Sequence, residues 1–157
     1  MAKIDIENVP TVTGCRYPAP FDEPCLARRW KALGAAGGLD QFGVNLMTVA
    51  PGTWSSQRHW HEKEDEFVYM LEGELLLVTD QGEEVMGPGD CAAFRAGARD
   101  GHHLRNVSDR DAVFLAIGSR LENDWGDYPD IDLAFGSGRY AAGGNYTHKD
   151  GTPYPRK

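Results

Sequence analysis

Through the middle of the chain, apolar positions come in short runs of four to seven residues. From about residue 42 to 119 the runs cover 44–49, 55–61, 66–71, 74–78, 83–86, 91–94, 102–106 and 113–117. Between them stand turn formers: Pro51-Gly52, Glu72-Gly73, Asp80-Gln81-Gly82, Gly87-Pro88-Gly89-Asp90, Gly97 and Ser108-Asp109. Short runs at regular spacing with such breaks predict an all-β sandwich or barrel. Side chains alternate across a strand, so Glu66, Val68 and Met70 share one face of the run 66–71, and Phe67, Tyr69 and Leu71 share the other. Gly52, Gly73, Gly89 and Gly97 fall at strand ends, where a positive φ is expected.

The flanks read differently. Residues 1–41 form an N-terminal arm with Pro10, Pro18, Pro20 and Pro24. A short helix is expected over 26–33, stopped by Gly34 and Gly37-Gly38. Residues 120–157 make a C-terminal tail rich in Gly, Tyr, Asp and Pro, without periodicity, packing on or beside the barrel of residues 42–119.

Composition narrows the field. A chain of 157 residues suits one domain with a sizeable core. The formal net charge is −8, which argues against a nucleic-acid or anionic-membrane partner. The longest apolar run, 112–117, is far below the ~20 residues that span a bilayer. The start, Met1-Ala2-Lys3-Ile4-Asp5-Ile6-Glu7, is acidic where a secretory leader would be apolar. Cys15, Cys25 and Cys91 are odd in number and lack C-x-x-C spacing, so they read as reduced thiols of a cytoplasmic protein, Cys91 as a small core residue.

The chemistry lies in the histidines. His59 and His61 are spaced i, i+2 in an apparent strand, so both imidazoles project to one face. Glu66 opens the next strand; if the two strands form a hairpin, its carboxylate meets the imidazoles on one wall. Such a mixed N/O set suits Fe(II), Mn, Ni, Cu or Zn. A third imidazole, from His102 or His103, would complete four ligands and leave a position open to water or substrate. Trp60 reads as core, His148 as surface, and Glu62, Glu64 and Asp65 as a solvated turn.

The joint spacing resembles the cupin superfamily. After Gly52 come His59-Trp60-His61, four residues, Glu66, six residues and Gly73. After Gly89 come five residues, Arg95-Ala96-Gly97, then His102 and, three residues on, Asn106. Arg95 stands where the family pattern has proline, and four residues rather than two separate Gly97 from His102. Counting back from Asn106 selects His102. The resemblance covers about residues 43–118 and implies a double-stranded β-helix, or jelly roll. It implies one divalent metal ion (Zn, Mn, Fe or Ni) at the barrel mouth, held by His59, His61, Glu66 and His102. A homodimer is also implied, with the arm pairing between copies.

Small bacterial cupins of this kind include some that carry the name sugar-phosphate isomerase. That implies a metal-dependent isomerase of a small molecule, with Arg95, Arg99 or Arg105 near an anionic group and Tyr69 in the core. Two other functions fit the same resemblance: an Fe(II) dioxygenase of a small organic substrate, and a non-enzymatic small-molecule or metal-binding module.

Overall fold

The structure is a computed structural model that describes residues 3–140 and 145–155. The alternation in the sequence becomes a set of short antiparallel strands. The arm supplies β1 (Thr11–Thr13) and β2 (Arg29–Ala32), followed by a one-turn helix, α1 (Leu33–Ala36). The central region supplies β3 (Phe42–Val49), β4 (Trp60–His61), β5 (Glu66–Glu72), β6 (Leu75–Thr79), β7 (Gly82–Met86), β8 (Cys91–Phe94), β9 (His103–Arg105) and β10 (Ala112–Ser119). The tail adds β11 (Gly126–Tyr128), β12 (Leu133–Phe135) and β13 (Tyr146–Thr147).

One layer is a six-stranded sheet in the order β1-β2-β3-β10-β5-β8. The opposing layer combines β13-β12-β11-β4 with β7-β6-β9. Isolated bridges Trp54–Arg105 and His59–His102 join these two pieces. Between the layers, Phe114 on β10 faces Met47 on β3 and Met70 on β5, all nearly solvent-free. Leu75, Leu77 and Leu104 close on them from the other side. A second cluster, Tyr17, Cys25, Tyr128, Leu133 and Phe135, ties the arm to the tail strands. None of the helices among the described residues is long and apolar enough to cross a membrane.

All four glycines expected at strand ends have positive φ, between 70° and 93°. At Gly73 the need is double, because an added Cβ would also stand 2.7 Å from the Asp111 carbonyl oxygen.

Four local expectations are corrected. The helix expected over 26–33 is replaced by β2 and the single turn α1. Trp30 pairs with Met47 in the ladder to β3, and this sheet contact overrides a run of good helix formers. The hairpin expected between the His-x-His strand and the Glu66 strand does not form. Instead β4 pairs with β11, at Gly126–His61, while β5 lies in the other layer between β10 and β8. Cys91 is exposed rather than core, and Tyr69 is 40% exposed on the outer face of β5.

Candidate metal centre

Glu66 is the first residue of β5 and shares its inner face with Val68 and Met70. It stands between Gly118 on β10 and Phe94 on β8. A Cβ on Gly118 would lie 3.5 Å from Glu66 Cγ, so the glycine leaves the carboxylate room. The alternation that buries Val68 and Met70 thus places a charged group at the open end of the same apolar face.

The histidines come from the opposite layer. His59 and His102 exchange backbone hydrogen bonds, 3.2 Å from His59 N to His102 O and 2.9 Å in return. Directly paired residues project to the same face, so both rings turn inward, with centroids 5.0 Å apart. His61 is two residues on from His59, with its ring centroid 5.0 Å away. The three Nε2 atoms converge on Glu66 Oε2, at 2.8 Å from His102, 3.5 Å from His61 and 3.6 Å from His59. His59, His61 and Glu66 offer ligand atoms within 4.8 Å of one another. His103 points elsewhere: its Nδ1 lies 3.0 Å from Ser56 O and its ring meets Trp54 edge-on. His148 is on the tail, against Asp132 and Tyr154.

The electrostatics suit a cation. Burial holds the His59 imidazole neutral, pushed down to about 4. Burial opposes the charge of Glu66, but the surrounding imidazoles outweigh it and hold the carboxyl well below its usual range. Neutral imidazoles and an ionised carboxylate are the states in which these groups bind metals. His61 Nε2 is buried with no hydrogen-bond partner, an inward lone pair that a metal ion would satisfy. The donor set therefore fits a divalent ion.

Behind His61 lies a network that the sequence concealed. Asp124, fully buried, is 2.6 Å from His61 Nδ1 and accepts from Lys63 N at 2.9 Å. Burial works to raise its carboxyl, but the His61 contact and the Lys63 amide hold it down. An anionic acceptor on Nδ1 keeps the proton there and turns the Nε2 lone pair inward. Glu64, expected in a solvated turn, is 1% exposed. It accepts from Leu121 N at 2.5 Å, from the Tyr140 hydroxyl at 2.7 Å and from the Arg139 guanidinium. Arg139 also reaches Asp124, at 3.6 Å. Glu62 and Asp65 are not buried in this way: Glu62 faces Arg99 and Asp65 caps Ala96 N.

The centre opens on a cavity of about 500 Å³. Its walls include Trp30, Met47, Phe94, Phe114, Tyr17, Tyr128 and Tyr146. Burial pushes all three phenols up, so they stay protonated at neutral pH. The tail also contributes Arg139 and Tyr140 to this wall. Arg95, Arg99 and Arg105 are not on it: Arg99 lies over Trp60 and Trp125, and Arg105 pairs with Glu83 at 2.5 Å.

Residues 45–118 match the model of the cupin domain. A solved structure from Silicibacter pomeroyi, named as a sugar phosphate isomerase of the cupin superfamily, is 43% identical over 98% of this chain and 97% of its own, with a TM-score of 0.89. The chain belongs to the cupin superfamily. The thirteen strands among the described residues of this cupin are accordingly a jelly roll with the tail strands added to one layer. A structure from Acidithiobacillus ferrooxidans, provisionally named as a sugar phosphate isomerase, is 30% identical over 83% of this cupin and 82% of its own chain, with a TM-score of 0.72. A polyketide cyclase from Streptomyces resistomycificus is 25% identical over 76% and 79%, with a TM-score of 0.59. No curated protein matches the chain.

Proposed function

We propose that this cupin is a metal-dependent enzyme that isomerises a small phosphorylated sugar, with the ion held by His59, His61, Glu66 and His102. The observation that carries the reading is the convergence of three imidazole Nε2 atoms on one carboxylate oxygen at the head of a cavity. The likeness to two structures that bear the sugar phosphate isomerase name supports the choice of reaction.

A divalent ion in that position supplies Lewis acidity to a carbonyl or hydroxyl of the substrate. The chain's own groups do the rest. Asp124 holds His61 in the tautomer that turns Nε2 inward. The protonated phenols of Tyr17, Tyr128 and Tyr146 can donate hydrogen bonds to substrate oxygens. Trp30, Phe94 and Phe114 make part of the cavity wall apolar. A cavity of about 500 Å³ is within the range of small-molecule sites. The homodimer implied by the family resemblance belongs to the same proposal, and the exposed Tyr69 and Leu71 on the outer face of β5 support it.

The test is elemental analysis of untagged protein purified without chelator, followed by aldose–ketose interconversion assays on a panel of sugar phosphates. The expected result is about one manganese, zinc, iron or nickel per chain, with activity lost on chelation and restored by metal without oxygen uptake. Failure to bind any divalent metal would overturn the proposal. Turnover restored only by Fe(II), with consumption of O₂, would replace it with a dioxygenase.

A further inference from the structure

The cavity carries a charge opposite to that of the chain. The protein has a net charge of −8, yet Arg16, Arg28, Arg120 and Arg139 line one cavity against Glu64 and Glu66. A divalent ion at the centre would make the enclosure more positive still.

These arginines are not equivalent. Arg139 is committed to Glu64 and Asp124. Arg16 is exposed at the rim. Arg28 is half-buried; its Nε donates to Gly14 O at 2.9 Å and its Nη1 to Ser55 O. Arg120 is half-buried too, and its guanidinium lies 4.7 Å from the ring centre of Tyr140. Its stem passes Gly43, where an added Cβ would stand 3.9 Å from Arg120 Cδ. Neither Arg28 nor Arg120 is within ion-pair distance of a described carboxylate, whereas outside the cavity Arg58 meets two and Arg99 and Arg105 one each. Arg120 also makes no side-chain hydrogen bond among the described residues, so its fork of N–H groups is open to a ligand.

A half-buried guanidinium without a counter-ion is an electrostatic cost that a bound anion relieves, and low-dielectric walls focus its field. We propose that Arg120 anchors an anion subsite for a phosphate monoester, with Arg28 adding to the field; this rests on the reading of the substrate as a phosphorylated sugar. The excess of guanidinium over carboxylate on the wall favours a phosphate monoester, with a charge near −2 at neutral pH, over a singly charged carboxylate. The planar fork can pair two phosphate oxygens at once.

The subsite is tested by calorimetric titration of inorganic phosphate, a hexose 6-phosphate and the unphosphorylated hexose into manganese-loaded and chelator-treated protein. Arg120→Gln should weaken phosphate and hexose phosphate by about tenfold or more in both forms, and leave the hexose unchanged. Arg120→Lys should recover part of the loss, because it restores charge but not the fork. Arg105→Gln, outside the cavity, should match the wild type. Wild-type phosphate affinity in Arg120→Gln, or no phosphate binding by the wild type, would overturn the subsite. Arg120-dependent phosphate binding without isomerisation would sink the isomerase reading and leave the subsite standing. Isomerisation with no dependence on Arg120 would do the reverse.

Discussion

Replacing Asp124 by Asn changes a single oxygen to an NH₂ group and should weaken metal binding although none of the four proposed ligands is altered. Asp124 accepts two hydrogen bonds in full burial, from His61 Nδ1 at 2.6 Å and Lys63 N at 2.9 Å. An asparagine has one acceptor oxygen to offer. If that oxygen stays on Lys63 N, the NH₂ group faces His61 Nδ1, moves the imidazole proton to Nε2 and points it at the metal position. If the amide turns over, a donor faces Lys63 N and that N–H loses its acceptor, at a cost of about 1 kcal/mol. Loss of such a partner behind a ligand histidine lowers metal affinity by about 10–100-fold, equivalent to roughly 1.4–2.8 kcal/mol. Arg139 also loses one of its two carboxylate partners. The assay is competition against a chromophoric chelator for zinc or manganese, with circular dichroism to establish that the variant is folded. A folded Asp124→Asn protein with wild-type metal affinity would refute the claim that this carboxylate sets the His61 tautomer.

Further outcomes follow from the same geometry. His59→Ala combined with His61→Ala should leave a folded β-protein by circular dichroism that takes up no metal; full metal content would show that the ion sits elsewhere. Gly126→Ala should unfold at a markedly lower temperature, because the new Cβ would lie 2.1 Å from Trp60 O and 2.5 Å from Phe135 Cζ; an unchanged melting temperature would contradict the tight β4–β11 contact. Acid should destabilise chelator-treated protein, because His59 and His103 are pushed down to about 4 from 6.5. The unfolded chain takes up protons below about 6.5 while the folded imidazoles resist until about 4, so stability is full above that window and falls on acidification through it. Urea midpoints at pH 7.5 and pH 5 would show this, and a flat or rising midpoint toward pH 5 would be inconsistent with two buried neutral imidazoles.

Much of the strand pattern was legible because period-two alternation is a local property. Residues 66–71 alternate, and β5 buries Val68 and Met70 while leaving Tyr69 and Leu71 outside. The same rule explains why Glu66 faces inward. It could not exclude a helix at 26–33, because β2 exists through its ladders to β1 and β3 and not through the propensities of Arg29, Trp30 and Lys31. Nor could it place Cys91, since among the described residues β8 is the edge strand beside β5 in the six-stranded sheet and turns that residue outward.

What the sequence by itself determined is the all-β class, the inward set of β5 and the candidate donors, with their spacing resembling a cupin. These follow from neighbours a few residues apart, where strand geometry dictates which side chains share a face. The tertiary structure alone decided that His59 and Glu66 meet across two layers rather than within one hairpin, and that His102 rather than His103 stands at the carboxylate. It also decided that Glu64, Asp124 and Arg139 form a buried network behind His61, and which arginines enclose the cavity. A buried charge is stable only where its partners arrive from distant parts of the chain, 61 and 63 residues away for Asp124 and 75 for Arg139, and no local pattern records that meeting.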